Sequence, residues 1–266
     1  MVLPLSDDNS DRTIFPWVNV GLIAANVLVF LLFQGMGTND DFTYAFSAVP
    51  KEIVTGRDIE TEPQAKRVPT ERGIVEVKSP GLRKLPPYLP VYITLLTSMF
   101  MHGGIAHLAG NMWFLWIFGD NIEQDMGRWR YLGFYLLTGL LASLTHILFN
   151  LGSEVPCLGA SGAISGVLGG YLVLHPRRRV TVLMFRFITQ VPGWVAVGLW
   201  FAFQVISGLG GLTGEGGGVA YGAHIGGFLA GLALAKPFML GRPTTIDRRK
   251  SYRQSDEGYR ETPGRW

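Results

Sequence analysis

Six stretches of this 266-residue chain carry no Asp, Glu, Lys or Arg: residues 15–39, 85–119, 131–153, 155–176, 187–214 and 216–235. A helix that crosses a bilayer needs about 20 mostly apolar residues, and every stretch reaches that length. We place spans at 17–34, 105–118, 131–151, 158–174, 194–212 and 219–239. The second is extended by the uncharged residues 91–101, part of which reads as a loop or interfacial segment. The expected fold class is therefore an all-α polytopic membrane protein with six transmembrane helices. Composition points the same way. Charged residues are 16% of the chain, against about 25% in a soluble domain, which leaves a polytopic membrane protein or an unusually apolar soluble one, and the six uncharged runs set the soluble all-helical reading aside. A disordered chain and a disulfide scaffold are excluded, since 48% of residues are hydrophobic and Cys157 is the lone cysteine. A net charge of +3 is too small to argue for nucleic acid as a partner. No cleaved signal peptide is expected, because the first span lacks a basic leader and a clean small-residue cleavage site.

Orientation follows from Lys and Arg in the short loops. With the N-terminal side called inner, the inner segments hold Arg12, Arg128, Arg130, Arg177, Arg178, Arg179, Arg186 and the basic tail. The short outer loops near 152–157 and 213–218 hold none. Both termini are thus expected inside, on the cytoplasmic face. In the long polar outer loop, residues 37–90, eight basic residues meet eight acidic ones. It reads as irregular apart from a short strand near 74–77. Residues 1–240 form one membrane domain in this reading. Residues 241–266 form a basic, disordered cytoplasmic tail. Arg177–Arg179 reads as a topogenic charge run. Asp120, Glu123, Asp125, Arg128 and Arg130 read as an ion-paired inner turn. An interhelical hydrogen bond is expected for His146, and a membrane-edge position for His175.

Polar side chains inside spans are costly and mark function by default. Span two holds His107 and Asn111, with His102 just before it. Span four begins with Ser161, inside Gly159-Ala160-Ser161-Gly162. Span six holds His224, inside Ala223-His224-Ile225-Gly226-Gly227. The topology puts these groups at similar depth near the outer side. Ser161, Ser165 and Gly169 share one helix face. His224, Gly227 and Gly231 share another. Small residues let helices in lipid approach closely, so Ser161 can come within reach of His224. A serine hydroxyl needs a base to become a nucleophile, and a neutral imidazole supplies one and then returns the proton to a leaving amine. No span contains Asp or Glu, so a dyad is the most these residues offer. His107, Asn111 and the Ser161 backbone N–H are donors for an oxyanion.

These segments together resemble the rhomboid family of intramembrane serine proteases. The residues 101–112, with His102, His107 and Asn111, resemble its second-helix motif. Gly159-Ala-Ser161-Gly162 resembles its nucleophile motif, and Ala223-His224-Ile-Gly-Gly227 its sixth-helix motif. The segment from Gly119 to Arg128 resembles the turn between helices two and three. The resemblance covers roughly residues 17–236. It implies a six-helix rhomboid-like bundle with a water-filled cavity open to the outer side. Ser161 would be nucleophile and His224 general base. His107 and Asn111 would line the oxyanion site, and His102 would support its water network. Gly159 and Gly162 belong to the same motif. It also implies a lid over the site, for which the glycine-rich residues 208–218 are suited, and a gate for which Trp194, Trp200 and Phe201 are candidates. Many members place an aromatic ring where Ser165 stands here, so the His224 ring loses that stacking partner.

The implied activity is hydrolysis of peptide bonds in or near transmembrane segments of single-span substrate proteins within the lipid bilayer. No cofactor and no metal are expected, and no nucleic acid. A prokaryotic plasma membrane is the expected location. The main alternative is a non-catalytic rhomboid-like protein that binds transmembrane partners. A metalloprotease using His102, His107 and His224 lacks a His-Glu-x-x-His motif. An aspartyl protease lacks an intramembrane Asp. A channel or transporter lacks intramembrane carboxylates and broken repeated halves.

Overall fold

The computed structural model of the chain describes residues 2–70, 73–79, 81–211 and 220–242. Most of the expected tail, and residues 212–218 of the expected lid, lie outside the described residues.

Strand β1 (Val2–Asp7) leads into α1 (Trp17–Leu28), which a π-helical turn extends to Phe33. The outer loop then forms α2 (Asp40–Ala45), α3 (Pro50–Thr55), and the antiparallel hairpin β2 (Gln64–Thr70) and β3 (Gly73–Ser79). A 3-10 turn at Val91–Ile93, the one-turn helix α4 (Thr94–Thr97) and a second 3-10 turn at Ser98–Phe100 precede α5 (Ile105–Met126). Then come α6 (Arg128–Leu148), α7 (Ser161–Leu174), β4 (Arg179–Met184), β5 (Phe187–Pro192), α8 (Gly193–Gly211) and α9 (Tyr221–Phe238).

Long helices stand at the six expected spans, but six crossings do not follow from length and composition. Only α6, with 21 residues, passes that test alone among the described residues. The run Val91–Phe100 passes together with α5, across a bend of 77°. The 14 residues of α7 rise about 21 Å at 1.5 Å per residue, short of a hydrocarbon core about 30 Å thick. Apolar side chains also face outward, while several polar ones are buried within an apolar core. Leu32, Trp116, Leu148, Phe203 and Ile206 point outward and are exposed, while Asn19, Asn26, Gln34, Asn111 and Ser165 are buried. Apolar area on this scale is expected to be covered by something apolar.

Glycine sets the packing of the centre. A Cβ on Gly227 would lie 2.0 Å from the carbonyl oxygen of Gly162, and one on Gly231 2.0 Å from that of Gly166. One on Gly169 would lie 2.3 Å from the Phe228 carbonyl oxygen. Helices α7 and α9 therefore touch backbone to backbone, as the small-residue faces anticipate. Helix α6 closes the other side, with Thr138 and Thr145 seated against Gly166 and Gly226.

The inner end departs from the sequence reading in three ways. First, β1, β4 and β5 form an antiparallel sheet in the order β1-β4-β5 where charged loops were expected. Val180 and Val182 alternate inward, a period-2 signal that is only six residues long and follows an arginine run. Second, Arg178 is buried rather than free in a loop. Its guanidinium grips the Asp11 carboxylate through two bonds of 2.8 Å and also donates to the Asp8 carbonyl. Third, the acids after span two bind other segments and not one another. Asp120 pairs with Arg12 at 3.1 Å. Glu123 accepts the N–H groups of Val18 and Asn19 at 3.1 and 2.7 Å, a carboxylate at the positive end of α1. Asp125 meets His175 at 3.1 Å, both fully buried within the protein. Arg130 donates to the carbonyls of Phe238 and Leu240. The N-terminal segment, the end of α5 and the stretch after α7 thus gather at one end, consistent with the common side assigned to them.

The outer loop is more ordered than expected. Glu52 of α3 is buried, and one of its carboxylate oxygens accepts the Ile59 N–H at 2.9 Å. Burial, opposed by that bond and reinforced by nearby Asp58, raises the carboxyl to about 7. The folded loop therefore holds a proton that the unfolded chain has lost above its ordinary range near 4.5. Stability falls as pH rises from about 4.5 to 7 and is level above. Glu52→Gln keeps the acceptor and removes the titration. Protection factors of the amides at 50–60, corrected for intrinsic exchange, are expected to decline between pH 5 and 8 in the native chain. In the variant they stay flat.

Candidate active site

The residues singled out in the sequence come from three helices, the turn before α7 and, for His102, the turn before α5. A reversal before α7 aims its first residue. Gly159 has φ +125°, a region open to glycine, and its N–H donates to the Ser98 carbonyl at 2.8 Å. The preceding strand-like residue Cys157 exchanges both backbone bonds with Ala48 of the outer loop, at 2.8 and 3.0 Å. Ser161 is thereby the first residue of α7. Ala160, at the N-cap, offers no side-chain cap, so the first N–H groups of the helix point outward without helical partners.

On α9, one turn inside its start, His224 faces Ser161. Its Nε2 lies 2.8 Å from the Ser161 Oγ. That distance is a hydrogen bond between a hydroxyl and an imidazole nitrogen, and it depends on the glycine contacts that bring α7 and α9 together. Ser165 is buried and donates to the Ser161 carbonyl at 2.6 Å, so its hydroxyl is occupied on its own helix. The rings of Trp200 and Tyr221 lie 6.3 Å from the His224 ring, tilted and edge-on.

One contact was not legible in the sequence. The amide oxygen of Gln204, on α8, lies 2.8 Å from the His224 Nδ1. Gln204 is 9% exposed. A single Gln in a long apolar run carries no motif. Only its placement 20 residues before His224, across a helix–helix contact, reveals it.

His107 and Asn111 stand at i and i+4 of α5. The Gly103 N–H approaches the His107 Nδ1 at 3.4 Å. This leaves Nε2 as the ring's donor, close to the turn that carries Ser161: a Cβ on Gly159 would lie 2.9 Å from that Nε2 and 3.6 Å from the Ser161 Oγ. Asn111 is 8% exposed and its Nδ2 finds no acceptor among the described residues. His102 is buried with both ring nitrogens unpartnered among the described residues, and its ring is edge-on to His107 at 5.2 Å. Its backbone is clamped by the Gln34 side chain, which accepts its N–H and donates to its carbonyl, each at 2.9 Å. Gly162 sits against Ala142 and Ala223, where a Cβ would meet Ala142 at 2.7 Å. A small cavity adjoins Ser161, lined in part by Ser98, Met99, Gly139, Ala142, Ser143 and Cys157.

The interhelical hydrogen bond expected of His146 is not made through its Nδ1 among the described residues. Of the gate candidates, Trp194 is exposed at the start of α8, whereas Phe201 stacks on Phe228 at 4.0 Å. No cluster of three His, Cys, Asp or Glu side chains is placed to hold a metal ion among the described residues.

Comparison with known proteins adds four findings. A family model described as the Rhomboid domain matches residues 90–240. The chain is 38% identical over 146 residues to rhomboid protease GluP of Bacillus subtilis, covering 54% of this chain and 26% of that protein. It is 32% identical over 151 residues to Rhomboid protein 1, mitochondrial, of Saccharomyces cerevisiae, covering 54% and 41%. RHOMBOID-like protein 6, mitochondrial, of Arabidopsis thaliana is 33% identical over 149 residues, covering 53% and 41%. The aligned region spans less than half the length of each of these relatives. Two of these relatives are mitochondrial by name, which does not fit the expected prokaryotic plasma membrane.

Proposed function

The chain belongs to the rhomboid family, whose members are integral to membranes, and from that premise we propose that it is an intramembrane serine endopeptidase acting through Ser161 and His224. The observation that carries this reading is the 2.8 Å approach of the His224 Nε2 to the Ser161 Oγ. In the proposed reaction His224 takes the serine proton as Oγ attacks a peptide carbonyl. The oxyanion is met by the Asn111 amide, the His107 Nε2–H and the Ser161 N–H. His224 then protonates the leaving amine, and water releases the acyl group from the serine. His102, with two unpartnered nitrogens beside His107, offers sites for that water. Gly159 and Gly162 keep the turn and the helix contacts free of side chains.

In this proposal residues 1–240 form one six-helix membrane domain, with the inner-end sheet and both termini on one side. The substrates are single-span membrane proteins cut near the outer end of the span. The cavity beside Ser161 is small, with Gly139, Ala142 and Met99 in its lining, and a small residue next to the cleaved bond is the one it suits.

The test is cleavage of a fluorogenic transmembrane substrate in liposomes. The native protein is expected to cleave it without sensitivity to chelators, and Ser161→Ala is expected to be inactive. Equal cleavage by both would overturn the assignment. A native protein that neither cleaves a panel of such substrates nor reacts with a serine-directed probe would instead be a rhomboid-like binder of transmembrane partners. Replacement of Asn111 by Ala is expected to lower kcat by about 10²–10³, the scale of one lost oxyanion donor, with KM little changed. Replacement of His107 by Ala should act in the same direction.

A further inference from the structure

We infer that Gln204 is the positioning residue of the general base: its amide oxygen holds the His224 proton on Nδ1, and helix α8 must stay docked for the base to work. This rests on the proposed Ser161–His224 mechanism and extends it to a third helix. An imidazole can take a proton from Ser161 only if its Nε2 lone pair faces the hydroxyl. That requires the ring proton on Nδ1. The one side-chain acceptor placed on Nδ1 among the described residues is the Gln204 Oε1, at 2.8 Å. With the amide turned over, its NH2 would donate to Nδ1, the proton would move to Nε2, and the serine would lose its base.

Nothing else among the described residues fixes the ring to the same degree. Trp200 and Tyr221 are 6.3 Å away by ring centre, and the Ser165 hydroxyl is taken by the Ser161 carbonyl. A neutral amide also suits the setting. It supplies the acceptor that a carboxylate supplies in a triad without burying a charge among apolar helices. Because Gln204 is on α8 while Ser161, His224 and the oxyanion donors are on α7, α9 and α5, the hydrogen bond makes the base sensitive to the position of α8. Among the described residues that helix packs on α9 less extensively than α6 and α7 do.

The experiment compares native protein, Gln204→Leu, Gln204→Glu and Ser161→Ala in liposomes. Two readouts are taken: steady-state cleavage of a transmembrane substrate, and 15N chemical shifts of labelled histidine. Gln204→Leu is expected to lower kcat roughly 10- to 100-fold with KM within about twofold, the range of a mispositioned catalytic group. Its His224 signal is expected to shift from the Nδ1–H tautomer to a mixture. Gln204→Glu offers an acceptor at the same reach once its buried carboxyl is ionised, and is expected to restore most of kcat and the single tautomer only at pH values high enough to ionise it. Native-like kcat and an unchanged tautomer in Gln204→Leu, with Ser161→Ala inactive, would overturn this inference and leave the dyad standing. Loss of activity in Gln204→Leu with the tautomer unchanged and no rescue by Glu would assign Gln204 a packing role and also overturn it. Full activity of Ser161→Ala would instead overturn the mechanism beneath it.

Discussion

Ser161→Ala and His224→Ala are each expected to lower cleavage by at least about 10³-fold, and the double variant is expected to be no worse than either alone. The geometry dictates both parts. The hydroxyl and the imidazole share one hydrogen bond of 2.8 Å, and neither performs the step without the other: the serine without its base is a poor nucleophile, and the base without the serine has nothing to activate. Groups that act as a unit are strongly non-additive, with single losses comparable to the combined loss. None of the six expected spans contains a carboxylate, so no side chain of that kind can take over from His224. Two independent losses that multiply in the double variant would mean that the residues act separately, for example in folding. The check is kcat/KM of the four proteins on one substrate.

The second large effect is structural. Gly231→Leu is expected to prevent α7 and α9 from docking. The Cβ alone would stand 2.0 Å from the Gly166 carbonyl oxygen, and that obstacle is helix backbone, not a side chain that can rotate away. Overpacking a core by adjustable side chains costs about 1–3 kcal/mol, and a backbone clash exceeds that range. Relief requires the helices to move apart. Ser161 and His224 are carried by those two helices, so their hydrogen bond would be lost with the contact. The variant is expected to lose activity and to melt well below the native protein in the same detergent. Gly21→Leu is the control, since a Cβ there meets nothing within 4 Å, and it is expected to melt like the native protein. A native melting curve for Gly231→Leu would contradict the packing described for α7 and α9.

The parts of the site legible in the sequence are those with a local pattern. Ser161 and His224 stand out because a polar group set among small residues in an apolar run is costly to keep there without a partner or a task. The glycine spacing foretells which faces meet. Gln204 has no such signal, since its meaning comes from a helix pair that nothing local specifies. The inner sheet is hidden for a related reason. Six-residue strands flanked by arginines look like topogenic loops, and only the pairing of β4 with β1, contributed from the far end of the chain, makes them strands. Local spacing pairs the acids Asp120, Glu123 and Asp125 with nearby bases, yet each reaches a group distant in the chain: Arg12, the α1 amides and His175. Helices α2 and α3 leave no trace in the pattern because six residues give periodicity no room to show.

The central claim is that Ser161 is a nucleophile activated by His224, and covalent capture tests it most directly. A fluorophosphonate probe is incubated with the native protein, Ser161→Ala and His224→Ala in liposomes, and the modified residue is located by peptide mass. The account predicts a single adduct on Ser161 in the native protein, none in Ser161→Ala, and labelling slowed by orders of magnitude in His224→Ala. An adduct elsewhere, or labelling of Ser161 that is indifferent to His224, would contradict it.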